Sequence, residues 1–210
     1  MPEELRDRLA AIAGQRGQSL QAYLLDLVRD EVRRRDNLAV LERFSRSTYG
    51  TRLSEGHVTD TACGAGRAGR GTRCAGRRAV IVVDASVFAF SLLDEGTTGE
   101  RCRSALAADD RWIAPQHWTF EVMSVIRGNL LGGKITAGHA ADAVEALCGL
   151  DPIVPMTRVL LPRVWELRGS LTAYDAAYVA AAEAYGCPLL TTDGRMARAS
   201  GIRCAVEVVG

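Results

Sequence analysis

Two patterns of apolar and polar positions divide this chain. Near the amino end, Leu5, Leu9 and Ile12 share one face of a helix expected over residues 2–13, with Pro2, Glu3 and Glu4 suited to its first turn. Gly14 and Gly17 interrupt it, and Ser19 then caps a second helix whose stripe is Leu20, Leu24, Leu27 and Val28. From Ala79 the rhythm changes to short unbroken apolar runs separated by longer stretches of helical period. Strands are expected over 79–83, 112–114, 153–155, 187–192 and 203–209. Helices are expected over 87–94, 99–108, 118–131, 137–150, 159–167 and 171–182, the last stopped by Gly186. Strands alternating with helices predict an α/β fold with a central parallel sheet covered on both faces.

Between the two patterns, the stretch 63–78 (CGAGRAGRGTRCAGRR) holds five Gly, five Arg and no acid. That composition builds no packed element and reads as a basic, flexible linker. The expected organisation is therefore a helix pair over 1–45, a linker over 46–78 and an α/β domain over 79–210. A sharper expectation is that an Arg of the linker enters the acidic site described below, since guanidinium pairs bidentately with carboxylates.

With 48% hydrophobic and 24% charged residues the chain has a globular composition, and a net charge of +1 leaves any nucleic-acid partner to a local patch. No apolar run approaches about 18 residues and no basic-then-apolar leader is present, so membrane insertion and secretion are not expected and a cytoplasmic location is. The six cysteines are scattered without a C-x-x-C pair, which argues against zinc and against a disulfide framework. His57, His117 and His139 are isolated in sequence and read as surface or packing residues.

Four acids remain conspicuous. Asp84 and Asp193 end the runs AVIVV and CPLLTT, while Glu121 and Asp175 stand in apolar helical company. Three of the four have a local explanation: Asp84 as a helix cap, Asp175 in a capping box with Thr172, Asp193 as the first residue of a D-G turn. Collected in one cleft they require something else, because two like charges about 4 Å apart repel by roughly 4 kcal/mol at an effective dielectric of 20. An all-oxygen set of this kind favours Mg²⁺, with Mn²⁺ able to substitute. Ser86 and Thr192, beside the acids, would orient ligands or hold phosphate oxygens.

The pieces IVVDAS, APQHWTFEVMSVIRG, LTAYDAAYVAAAEAYGCPLLTTD and GRMARA resemble the signature blocks of the PIN-domain ribonuclease toxins of the VapC type. The resemblance implies a PIN-like three-layer α/β/α domain, an endoribonuclease, and Asp84, Glu121, Asp175 and Asp193 as the acidic cluster that binds Mg²⁺, with Asp84 and Asp175 the most direct ligands. Two short helices with one apolar stripe each cannot bury enough area alone, so a homodimer is expected; residues 1–35 resemble the helix pair of ribbon-helix-helix antitoxins of the VapB and FitA type, a small all-α segment, and so imply an antitoxin-like element fused in the same chain. Only Met1 precedes Pro2, so the DNA-reading strand of that family has no counterpart and operator DNA is not the expected partner. The expected partners are RNA as substrate and an antitoxin, supplied separately or by the fused segment. The rival expectation is a silenced fusion acting as a DNA-binding autoregulator. A phosphatase is disfavoured because Asp84-Ala85-Ser86 lacks a D-x-D second acid.

Overall fold

The computed structural model describes residues 2–49, 80–108 and 111–210. The linker stretch 63–78, and with it the expected arginine insertion, lies outside the described residues, as does His57.

The amino-terminal segment is a helix pair, α1 (Glu3–Gln15) and α2 (Leu20–Tyr49). Gly17 turns the chain between them at φ 67°, a left-handed conformation that favours glycine, and Ser19 Oγ accepts the Ala22 N–H at 3.1 Å to cap α2. Helix α2 continues four residues beyond the expected boundary at 45. Packing and local pairing extend it: Leu41 and Phe44 are buried, and Arg46 pairs with Glu42 one turn back at 2.5 Å.

The remaining elements are β1 (Val80–Val83), α3 (Ala85–Leu93), α4 (Thr97–Ala108), β2 (Arg111–Ile113), α5 (Trp118–Leu131), α6 (Ala137–Gly149), α7 (Thr157–Glu166), α8 (Ala173–Tyr185), β3 (Leu189–Thr191) and β4 (Val206–Val208). All strand pairs are parallel, in the order β2-β1-β3-β4, and Ile153 adds a single parallel bridge to Ile113 at the β2 edge. The strand expected at 153–155 is reduced to that bridge. Ile81, Val82 and Val83 are almost wholly buried, as continuous apolar runs in a parallel sheet must be. The first crossover runs from β1 to β2 on one side, whereas β3 lies on the other side of β1. Right-handed connections therefore place α3 to α6 on one face of the sheet and α7 and α8 on the other, with the topological switch point between β1 and β3.

Helix α2 lies antiparallel along α6. Asn37 donates Nδ2–H to the Asp151 carbonyl at 3.2 Å and accepts the Asp151 N–H at 2.6 Å; further along, Val40 fills the space at Gly149, and Phe44 meets the His139 ring at 6.0 Å. Near the start of β2, Arg111 pairs with Asp30, and Arg33 reaches Asp151 at 2.9 Å. Val40, Leu41 and Phe44 join one hydrophobic core with the α/β domain.

Candidate active site

The switch point fixes where the acids meet. Asp84 follows β1 directly, and its carboxylate, 8% exposed, accepts the Ser86 hydroxyl at 2.6 Å and the Thr191 hydroxyl at 2.7 Å, both on Oδ2. Its side chain does not cap α3. Burial raises the Asp84 pKa; the two hydroxyls oppose that shift and the charge of Asp175 adds to it. Thr191, fully buried at the end of β3, also accepts the Asp193 N–H at 3.0 Å, so one hydroxyl ties the two strand-end acids together. Sequence reading singled out Thr192, whose contribution here is a main-chain N–H donated to Ser86 Oγ at 3.2 Å. Thr191 had no sequence signal of its own: alternation within a three-residue strand does not say which of two adjacent threonines turns towards the acid.

Asp175 lies in the first turn of α8, where it forms the capping box read from the sequence. Thr172 Oγ1 accepts the Asp175 N–H at 3.2 Å and donates its own proton to Asp175 Oδ2 at 2.8 Å. Glu121 lies in the first turn of α5, and its Oε2 accepts the Tyr178 hydroxyl at 2.6 Å. Burial raises its pKa, the Tyr178 hydroxyl lowers it, and the charges of Asp84 and Asp175 raise it further. Asp84, Glu121 and Asp175 therefore feel one another, and each has one oxygen fixed by a hydroxyl donor. Among the described residues, Glu121 Oε1 and Asp175 Oδ1 accept no hydrogen bond, while Asp84 also takes a main-chain hydrogen bond from Ser86.

Asp193 differs. Arg195 donates its main-chain N–H to Oδ1 at 2.8 Å and brings Nε and Nη2 onto the same carboxylate at 3.1 and 2.8 Å, holding the Asp193 pKa below its usual range. The D-G turn explanation thus has its counterpart in an Asx-type turn, closed by Arg195. Arg195 is engaged in this pair, and Arg127 and Arg198 are exposed.

His117 is the site residue that sequence reading missed. It sits just before α5 without a side-chain cap bond, its Nε2 stands 3.4 Å from Glu121 Oε2, and its ring lies 5.2 Å from both Tyr174 and Tyr178. Its isolation in sequence concealed this, although its spacing of four from Glu121 puts both on one helical face. His139, by contrast, hydrogen-bonds the Leu92 carbonyl at 2.9 Å and is a packing residue.

The PIN domain family matches residues 81–202, more than half of the chain. This chain belongs to the PIN domain family. Ribonuclease VapC1 of Mycobacterium tuberculosis is 36% identical over 129 residues, covering 61% of this chain and 96% of that protein. VapC ribonuclease Mb0985 of Mycobacterium bovis is 34% identical over 130 residues, covering 62% and 98%. Among solved structures, Mycobacterium tuberculosis VapC20, described as a toxin cleaving the sarcin-ricin loop, superposes with a TM-score of 0.45 at 19% identity, over 59% of this chain and 96% of that one. The four acids all fall within the PIN domain match, and the helix pair lies outside it.

The PIN domain site passes a chemical test for a hard divalent cation. Asp84 and Glu121, whose pKa values are raised by burial and by neighbouring acid charges, stand with Asp175 as carboxylates partly fixed by hydroxyl donors, the donor type that Mg²⁺ accepts while keeping several waters. Among the described residues, no three His, Cys, Asp or Glu side chains are grouped closely enough to hold a metal ion by themselves. The arrangement thus suits an ion bound partly through water, which Mg²⁺ retains readily.

Proposed function

We propose that this chain is a metal-dependent endoribonuclease of the VapC toxin type, hydrolysing RNA phosphodiester bonds in the cytoplasm. The observation that carries this is the electrostatic reach between Asp84, Glu121 and Asp175 at the switch point, each with one oxygen held by a hydroxyl. The VapC relatives, named ribonucleases, support RNA as the substrate. Asp84 and Asp175 are the direct holders of Mg²⁺ or Mn²⁺, and Glu121 assists. Asp193 acts in the same cluster, exchanging Arg195 for the ion or holding Arg195 at its rim. When bound, the ion supplies positive charge to the phosphate and lowers the pKa of a bound water. Ser86 and Thr191 keep the Asp84 carboxylate oriented, Tyr178 does the same for Glu121, and burial of Asp84 keeps bulk water away from one side of the site.

The organisation proposed is an antitoxin-like helix pair over 1–45, a linker over 46–78 and a PIN domain over 79–210, with the helix pair also serving homodimer formation. The polar contacts that fasten α2 are made at Arg111 and Asp151. In the register of β1 with β2, Arg111 pairs with Val80. That is four residues, or about 13 Å of strand, from Asp84 at the opposite end of the sheet. Restraint of the nuclease by the fused segment would therefore act through residues beyond α2 or through a separately supplied antitoxin.

The test is incubation of the full chain with total RNA in Mg²⁺ and in EDTA, beside Asp84→Ala and Asp175→Ala. Metal-dependent cleavage lost in both variants, with their folds intact by circular dichroism, supports the assignment. Equal cleavage by the variants, or in EDTA, ends it. The autoregulator reading is checked by a salt-dependent gel shift on the upstream DNA.

A further inference from the structure

We propose that His117 is a nitrogen ligand of the active-site cation, so that this nuclease binds its metal through a mixed imidazole and carboxylate set. The inference rests on the metal-dependent reading of the site and adds a donor of a different chemical type to it.

Three observations converge on the ring. First, Nε2 is buried and has no hydrogen-bond partner, although such atoms in protein interiors are nearly always satisfied. Second, it faces the site: the atom stands 3.4 Å from Glu121 Oε2, and the ring feels the charges of both Asp84 and Asp175. Third, the other ring nitrogen is engaged. The imidazole hydrogen-bonds the main chain of Tyr174, and since Nε2 makes no such bond, that contact belongs to Nδ1. A ring whose Nδ1–H is given to a carbonyl carries its lone pair on Nε2, and metal-binding histidines are held in this manner by a main-chain or carboxylate acceptor.

A lone pair facing a carboxylate without a proton between them is repulsive, and an ion removes the repulsion by binding to both. Nε2 and Glu121 Oε2, which keeps a second lone pair beside the one given to the Tyr178 hydroxyl, stand 3.4 Å apart, a spacing that lets them share one ion at about 2.1 Å from each. The ring is also mechanically supported, because Tyr174 and Tyr178 meet it at interplanar angles of 60° and 76°. Tyr178 additionally fixes Glu121, so both donors rest on the same side chain. A nitrogen donor favours a first-row transition ion over Mg²⁺, so Mn²⁺ is the informative probe.

The experiment is pulsed electron paramagnetic resonance of the full chain loaded with Mn²⁺, with natural-abundance and ¹⁵N-histidine-labelled protein, beside calorimetric titration with Mn²⁺ and Mg²⁺. His117→Gln is the principal variant. His57→Gln/His139→Gln is the second, in which His117 is the only imidazole left. We expect a directly coordinated nitrogen whose signal changes with the isotope, persists in the double variant and disappears in His117→Gln. Mn²⁺ affinity should fall about tenfold or more in His117→Gln while Mg²⁺ affinity changes by less than about threefold. Mn²⁺ bound at a site abolished by Asp84→Asn but showing no nitrogen coupling overturns the role of His117 and leaves the acidic site standing. Failure of the wild-type chain to bind Mn²⁺ or Mg²⁺ overturns the metal-dependent reading and this inference with it.

Discussion

Replacing Thr191 by valine isolates the hydroxyl that links the two strand-end acids. The substitution is nearly isosteric, and Thr191 is fully buried, so the effect comes from polar contacts and not from a cavity. The hydroxyl donates to Asp84 Oδ2 at 2.7 Å and accepts the Asp193 N–H at 3.0 Å. A hydrogen bond to a charged group is worth about 1.5–3 kcal/mol, and an N–H left partly unsatisfied costs about 1 kcal/mol more. The expected loss of stability in EDTA at neutral pH is therefore about 2.5–4 kcal/mol, or a Tm lower by about 5–16 °C for a chain of this size. The loss should depend on pH. Asp84 already has a raised pKa, so it contributes stability fully present below its unfolded pKa near 3.8 and lost as pH rises through the folded value. Removing a hydroxyl that lowers this pKa raises the folded value further, so the penalty grows with pH and shrinks in acid, where Asp84 is protonated in both proteins. Urea denaturation of both proteins at acid and neutral pH measures this. A penalty below about 0.5 kcal/mol at neutral pH, or one independent of pH, would refute the argument.

Further outcomes follow from other contacts. Asp84→Asn should raise the Tm in EDTA at neutral pH, because it removes a buried charge whose pKa burial has raised, and should abolish stabilisation by Mg²⁺; scanning calorimetry with and without the ion reads both. Gly149→Ala should loosen α2, since a Cβ there would come within 2.9 Å of Val40 Cγ2, and faster amide exchange across residues 30–48 would report it. Burial pushes the Cys102 thiol up to about 12, so iodoacetamide at pH 8 should spare it and label the exposed Cys148, as peptide mass spectrometry would resolve. Glu183, whose burial is outweighed by Arg163 at 2.6 Å and by the Arg203 N–H, has a lowered pKa. It contributes stability present above its ordinary pKa near 4.5 and lost as pH falls, and Arg163→Met should remove much of that acid sensitivity in a pH series of thermal melts.

The alternation of apolar runs and helical periods determined the α/β class and nearly every element, because burial on a parallel sheet demands continuous β-branched runs and burial of a helix demands period 3.6. It also exposed the acids, since carboxylates among Ala, Val and Phe have no purpose in a core. The ends of elements carried local chemistry that sequence displays directly: Gly186 in the left-handed conformation after α8, and Thr172 with Asp175 at its start. Tertiary structure alone decided that Thr191 and not its neighbour holds Asp84, that Arg195 closes on Asp193, and that an apparently solitary His117 faces Glu121. It alone also laid α2 along α6, joining two segments that read as separate units. Periodicity reports which face of an element is buried. The direction of a single hydroxyl or ring nitrogen depends on neighbours distant in the chain, and no local pattern encodes them.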